Sequence, residues 1–223
     1  ISYLFPLYIY RKKTEEKRGN PGGLVMLFER GEEYKAREAN ISQKLINKLR
    51  ETYGVAPTPE GILAYIYAVL YSNIYRTRYD DFLRADFPRI PFTGNKELFE
   101  KIAHLGMELI DLHLLRFPEA EDKARLEGEG DGRIREVRFG SSQNKVYINE
   151  GQFFANIKPE VWEYEIGTYR VCDKWLRDRI GRELSLQEAK LFLKIVKAIE
   201  HTIKLQEQID VLYPELEKEL LFL

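Results

Sequence analysis

The stretch that decides the fold runs from Thr58 to Asp86, TPEGILAYIYAVLYSNIYRTRYDDFLRAD. Thr58 carries a hydroxyl that can cap a helix, and Pro59 suits the first helical position, where its missing N–H is not needed. Ile62 to Tyr71 is apolar on every side, so this helix is predicted to be buried all round. A second helical piece follows, with Tyr75, Tyr79, Phe82 and Leu83 at spacings of three or four. Its other face carries Arg76, Arg78 and Arg84. Pro88 and Pro91 then impose an extended link.

Working outward, Asn40 or Ser42 caps a short helix to about Tyr53, with Leu45, Ile46 and Leu49 on one face. Downstream, Asn95 caps an amphipathic helix to about Phe117, striped by Leu98, Ile102, Leu105, Leu109 and Leu112. Pro118 to Gly132 is acidic and contains glycine, which predicts a surface loop. Ile134 to Phe139 alternates apolar and charged residues, as a half-buried strand does. Gly140 to Asn144 reads as a hairpin turn and Lys145 to Asn149 as the returning strand. Trp162 to Ile166 is predicted as a further short strand and Tyr169 to Arg179 as helical. Ser185 caps a final long helix whose stripe includes Phe192, Val196, Ile199, Ile203 and Ile209. At the N-terminus, Ile1 to Tyr10 reads as a strand in which Pro6 favours an edge, followed by a loop over Arg11 to Gly23. The pattern predicts an α+β fold, with helical bundles flanking a small, mostly antiparallel sheet. It is read as one domain over residues 1–223, with 183–223 as a C-terminal helical subdomain.

Composition narrows the class. The 35 basic residues are offset by 36 acidic ones, so the net charge of −1 gives no global attraction to nucleic acid. Any nucleic-acid face must come from local clustering. The 14 tyrosines call for polar seams within the core, because a buried hydroxyl needs a partner. Cys172 is the only cysteine and cannot form an internal disulfide, which fits a reducing cytoplasm. The longest apolar run, Ile62 to Tyr71, is short of the roughly 20 residues that span a bilayer. No signal peptide opens the chain. It begins with Ile inside a predicted strand, and it is read as part of a longer polypeptide.

No residue is assigned a catalytic, cofactor-binding or metal-binding role. His104, His113 and His201 lie far apart without paired cysteines, so metal-site spacing is missing. His113 sits on a leucine-rich helix and reads as a packed core residue. Nucleotide-binding glycine motifs and a nucleophile elbow are missing too. Asp80 and Asp81 are adjacent, so on a helix they point to different faces and read as solvated or arginine-paired. Glu121-Asp122-Lys123 is a carboxylate–lysine run without the preceding strand that a nuclease site would need. The positive signal is basic residues interleaved with aromatics. One cluster is Tyr75-Arg76-Thr77-Arg78-Tyr79; another is Tyr169-Arg170 followed by Lys174, Trp175, Arg177, Arg179 and Arg182. Such arginines can fork onto phosphate or onto guanine, and tyrosines can donate to phosphate oxygens. A solvated helix face balanced by Asp80, Asp81, Asp173 and Asp178 fits the same spacing, and spacing alone leaves both readings open.

At these residues the sequence resembles the C-terminal specificity region of Type ISP single-chain restriction–modification enzymes. The matching pieces are Tyr65-Ile66-Tyr67-Ala68-Val69-Leu70-Tyr71-Ser72, the Tyr75–Tyr79 cluster, and Asp86-Phe87-Pro88-Arg89-Ile90-Pro91. Leu105-Gly106, Leu112-His113-Leu114 and Val146-Tyr147-Ile148-Asn149 follow. Val161-Trp162, Ile166-Gly167, Lys174-Trp175-Leu176, Asp178-Arg179, Gly181-Arg182 and Thr202-Ile203 complete the series, in the family's order. Two departures stand out: Gly167-Thr168 where two glycines are usual, and Ile180 where a basic residue is common. The resemblance implies double-stranded DNA as partner, read in the major groove. It also implies nuclease, helicase-like and adenine-N6 methyltransferase regions elsewhere in the polypeptide, which would use S-adenosylmethionine, ATP and Mg. The methyltransferase's Asn-Pro-Pro-Tyr type motif is missing from this chain.

A motif shared by enzymes of different specificity is better suited to scaffold or phosphate contact than to base reading. The backbone-contact candidates are therefore Arg76, Arg78, Arg89, Lys174, Arg179 and Arg182. Some of these are expected to be internal ion pairs, Arg89 between its prolines foremost. Base readers are sought outside the motifs, at the hairpin tip: Ser141, Ser142, Gln143, Asn144 and Lys145, with 129–138 as the next segment. An ordinary solvated turn fits that tip equally well. The alternative to DNA reading is a helical coupling module within the same enzyme that touches no base; a stand-alone nuclease would need a carboxylate–lysine site that the sequence does not offer.

Overall fold

The computed structural model describes residues 4–10, 37–118 and 124–222. The first three residues of the predicted N-terminal strand, the predicted loop over 11–23 and the Glu121–Lys123 run lie outside them.

Strand β1 (Tyr8–Ile9) pairs antiparallel with β2 (Glu38–Ala39). It begins only after Pro6, which has no N–H for a ladder and whose carbonyl accepts from the Asn40 side chain at 3.0 Å. Helix α1 (Gln43–Tyr53) follows Ser42 and stops at Gly54, whose φ of 79° suits glycine. Helix α2 (Pro59–Tyr71) starts as expected, with the Thr58 hydroxyl accepting from the Gly61 N–H at 3.1 Å. It is not buried all round: Ile62, Ala64, Tyr65, Ala68 and Val69 are buried, but Leu63 is 39% exposed. The predicted second piece is two short helices, α3 (Asn73–Arg78) and α4 (Asp80–Ala85), broken at Tyr79. The break turns Phe82 outward to 70% exposure while Tyr75 stays in the core. Helix α5 (Lys96–His113) is capped by Asn95, which accepts from the Leu98 N–H at 3.1 Å. It ends short of Phe117, where Leu115 turns to a φ of 55°.

The second half of the chain carries the sheet. Strands β3 (Arg125–Gly128), β4 (Arg138–Gly140), β5 (Lys145–Tyr147) and β6 (Gln152–Ala155) lie in the order β3-β6-β5-β4, with antiparallel pairing throughout. β3 falls where a surface loop was expected, and β6 had no sequence signal. Both are strands because they pair with each other, Leu126 opposite Phe154 and Glu127 opposite Phe153. Most of the expected strand from Ile134 is irregular: the Ile134 N–H goes to the Arg182 carbonyl, and those of Arg135 and Glu136 go to Ile148. Trp162 closes a helical turn, α6 (Pro159–Trp162), rather than opening a strand. β7 (Glu165–Ile166) and β8 (Tyr169–Arg170) make a hairpin through Gly167 at φ 64°, and α7 (Val171–Arg177) follows.

Helix α8 (Leu186–Lys218) has 33 residues and opens with a capping box between Ser185 and Glu188. It belongs to two cores. Ala189, Phe192, Val196 and Ile199 pack with Ile134, Val146, Ile148, Phe154, Trp162 and Leu176 of the sheet side. Leu205, Ile209, Tyr213 and Leu216 pack with Leu49, Tyr65, Val69, Phe99, Ile102 and Leu109 of the helical side. The architecture is α+β, as expected, with small antiparallel sheets among the helices.

Candidate nucleic-acid interface

Ser72 sits at the joint where α2 ends and α3 begins. It is fully buried, and its hydroxyl accepts from the Tyr75 N–H at 3.2 Å while donating to Asp210 Oδ1 at 2.7 Å. The same Asp210 carboxylate accepts from Asn73 Nδ2 at 2.9 Å and from the Ile74 N–H at 3.3 Å. One turn earlier on α8, Gln206 donates to the Tyr71 carbonyl at 2.9 Å and accepts from the Tyr164 hydroxyl at 3.2 Å. α3 is thereby tied to α8 at its first residues.

The six basic candidates fall into three situations. Arg76 is exposed on α3 and has no carboxylate partner among the described residues. Its charge favours the ionised Tyr164 phenol, though burial outweighs it and pushes that hydroxyl up to about 12. Arg89, where an internal ion pair was expected, is likewise exposed and without a carboxylate partner among the described residues. Its carbonyl accepts from the Tyr75 hydroxyl at 3.0 Å, so α3 also places Arg89.

The paired cations are others. Arg78 bonds Glu217, whose hydrogen bond, and then its charge, raise the Arg78 pKa. Lys174 meets both oxygens of Asp178, at 3.0 and 2.9 Å. Arg182 reaches Glu188 at 3.1 Å with its side chain still 62% exposed. Arg179 is the most enclosed: its guanidinium lies 3.6 Å over the Trp175 ring and donates to the Trp175 carbonyl at 2.8 Å. Its Nε stands 3.6 Å from Glu188, beyond hydrogen-bond reach, and is buried without a bond. Glu188 is held in its charged form first by the Ser185 backbone and side chain, then by Arg182 and Arg179. The expected balancing carboxylates are in use as well: Asp173 takes Arg177 at 2.7 Å and Asp80 takes Arg84 at 2.9 Å.

The hairpin tip is a single 3₁₀ turn, Ser141–Gln143, closed by Asn144 at φ 52°. Asparagine tolerates this left-handed conformation better than most residues. Ser141, Ser142 and Gln143 are exposed; Asn144 and Lys145 are half-buried. Gln143 Oε1 accepts from the Tyr147 hydroxyl at 2.6 Å, leaving its amide N–H groups outward. The Lys145 ammonium lies 4.0 Å over the Phe153 ring, so it points along the sheet instead of off the tip. The residues brought together at the tip are the two serines and Gln143.

Arg133 is an exposed arginine outside the named sequence candidates, as are Arg50 and Arg116. Arg133 follows the turn Gly128–Gly132 and has no carboxylate partner among the described residues. Its N–H is taken by Asp131 at 3.0 Å and its carbonyl by buried Asn149 at 3.1 Å. The only trace in the sequence is the run Gly128-Glu129-Gly130-Asp131-Gly132, whose close packing needs glycine: a Cβ on Gly128 would stand 1.9 Å from the Gly151 carbonyl oxygen. Next to it, Arg135 forks onto Asp131 and holds that carboxyl down to about 2.

Cys172 and His113 are packed into the fold, whereas His104 and His201 are exposed. Cys172 is buried and its thiol is pushed up to about 12 by desolvation. His113 bonds Tyr67 at 2.7 Å and Thr202 at 3.0 Å. Among the described residues no group of three or more His, Cys, Asp or Glu could hold a metal ion, and no helix is long and apolar enough to cross a membrane.

Several solved structures share this fold, and three of them are DNA-containing complexes. The ATP-dependent Type ISP restriction-modification enzyme LlaBIII bound to DNA matches with a TM-score of 0.64 and 19% identity over 92% of this chain. A DrdV–DNA complex solved by cryoEM matches with 0.64 and 20% identity over 78% of the chain. A nuclease-deletion mutant of the Type ISP enzyme LlaGI with a DNA substrate mimic matches with 0.55 and 22% identity over 69%. The matched parts cover only 13%, 20% and 16% of those proteins, in the same order. At such identities the likeness is one of fold. No curated protein sequence matches the chain. The sequence pattern of the Type ISP C-terminal specificity domain matches residues 1–208, and the chain belongs to that family.

Proposed function

We propose that this chain reads a short double-stranded DNA sequence for a Type ISP restriction–modification enzyme, and that it supplies no catalytic group itself. The observation that carries the reading is the family match over residues 1–208, since a specificity domain is the part that distinguishes one DNA site from another. The geometry agrees. Arg78, Lys174 and Arg182 are engaged by the chain's own carboxylates, while Arg76 and Arg89, which α3 places, have none among the described residues. Ser141, Ser142 and Gln143 at a stiff hairpin tip offer the donors and acceptors that base edges require. S-adenosylmethionine, ATP and Mg belong to other parts of the same polypeptide, with the methyltransferase and helicase-like regions as the intramolecular partners.

The test uses the full-length enzyme with cognate and random duplexes. Arg76→Ala and Arg89→Ala should each weaken both complexes about equally and lower the salt slope of log K by roughly one. The second reading, a coupling module that touches no base, draws on the internal pairing of Arg78, Lys174 and Arg182. It predicts unchanged DNA affinity and salt slope for both variants. The isolated chain should transfer no methyl group to DNA; methyl transfer by it would contradict the non-catalytic assignment.

A further inference from the structure

We infer that Gln206 and Asp210 of α8 are positioning residues for the DNA contact: they clamp the start of α3, and α3 sets where Arg76 and Arg89 stand. The inference rests on the reading of Arg76 as a phosphate contact.

A helix of six residues is too short to hold itself in water, because nucleation costs more than its few hydrogen bonds return. Its first N–H groups also lack intrahelical acceptors. Asp210 meets both needs from a different helix. Its carboxylate sits at the positive end of α3 and takes the Ser72 hydroxyl, the Asn73 amide and the Ile74 N–H. Gln206 lies four residues earlier on the same face of α8 and is 4% exposed. Its Nε2 donates to the Tyr71 carbonyl, one of those left open at the end of α2, and its Oε1 takes the Tyr164 hydroxyl from the sheet side. The two side chains therefore fix the α2–α3 joint in position and in register with Tyr164.

The consequences run outward along α3. The Arg76 N–H bonds the Ser72 carbonyl at 3.1 Å, one turn from the clamp. Tyr75, next to it, holds the Arg89 carbonyl. A guanidinium–phosphate bond is made within a few tenths of an ångström, so loosening the joint should cost the contact without removing the arginine.

The experiment is a double-mutant cycle in the full-length enzyme, read as dissociation constants for cognate DNA at two salt concentrations. Asp210→Ala and Gln206→Leu should each weaken binding about three- to tenfold when Arg76 and Arg89 are present, and less than about twofold when both are already Ala, because coupled residues are not additive. Asp210→Asn should keep most of the affinity, since its amide oxygen still accepts from Ser72 and Ile74. Equal losses in both backgrounds would show that α8 acts only through general stability, overturning the inference and leaving the DNA reading intact. Arg76→Ala without effect on affinity or salt slope would remove the Arg76 reading and this inference with it. If Asp210→Ala fails to fold, Asn73→Ala, at an exposed position bonded to both side chains, completes the cycle in its place.

Discussion

Glu188 and Glu217 decide how much of their arginines remains for a ligand. A guanidinium has five N–H donors, and one carboxylate engages two at most, so Arg182 and Arg78 can still turn donors outward. They must share charge with an acid already in place, whereas Arg76 and Arg89 have no such acid among the described residues. Arg182→Ala should therefore reduce the salt slope less than Arg76→Ala does. It should leave the thermal midpoint nearly unchanged, because an exposed pair is screened by solvent. Salt titrations of the two variants side by side check this; an equal or larger slope change for Arg182→Ala would reverse the ranking. At the hairpin tip, Gln143→Ala should cost about 1–3 kcal/mol of discrimination at one base pair and little on random DNA. Asn144 needs a different substitution. At φ 52° an alanine would strain the turn, so Asn144→Gly is the change that removes the amide while keeping the backbone. Methylation by the full enzyme across sites altered one base pair at a time reads out both variants; unaltered relative rates would move the reading loop elsewhere, with 129–138 next.

At the scale of elements, the contact between α2 and α5 is set by one atom. A Cβ on Gly106 would lie 1.9 Å from the Ala64 carbonyl oxygen and 3.2 Å from Ala68 Cβ. Helix propensity alone would make alanine the better residue there by about 0.5–1 kcal/mol. The clash is with backbone, which cannot swing aside, so the packing effect wins. Gly106→Ala should destabilise the chain by about 1–3 kcal/mol or more, as overpacking does. Thermal or urea unfolding gives the sign directly, and a stabilised variant would show that the two helices can part at little cost. The same scale explains the strands that were not foreseen. β3 and β6 exist as a ladder, and the residues of β3 carry no alternation of their own that would announce it.

At the scale of the whole molecule, a polar seam joins the two cores along the middle of α8. Thr202 Oγ1 donates to the Ala198 carbonyl at 2.8 Å, so it can only accept from His113 Nε2–H. Nδ1 is then the unprotonated nitrogen and accepts from the Tyr67 hydroxyl. Burial lowers the His113 pKa below the ordinary histidine value. In the unfolded chain the imidazole takes a proton near pH 6.5, while the folded chain resists it. Stability from this site is thus fully present above about pH 6.5 and is lost as pH falls through the lowered folded pKa. The neighbours on this face are Tyr67 and Tyr71, whose rings lie 5.7 and 4.8 Å from the imidazole. Unfolding midpoints between pH 7.5 and 5 should fall more steeply for the natural chain than for His113→Gln. Parallel curves would assign the acid sensitivity to other groups.

What the sequence determined by itself is local or periodic. The caps at Thr58, Asn95 and Ser185 are where they were expected, because a cap involves only three or four neighbouring residues. The long helices α5 and α8 followed from the spacing of their apolar stripes, and the family from short motifs in a fixed order. The tertiary structure alone decided the rest, and each case depends on distant residues. Tyr79 breaks its helix so that Tyr75 can stay buried beside Tyr213 while Phe82 faces solvent. Arg78 is neutralised by a glutamate 139 residues away, while Arg89 is left without a carboxylate among the described residues. The residue types of the interface could be read in the chain; which of them keep their charge for DNA depends on where the fold puts the acids, and no spacing along the sequence encodes that.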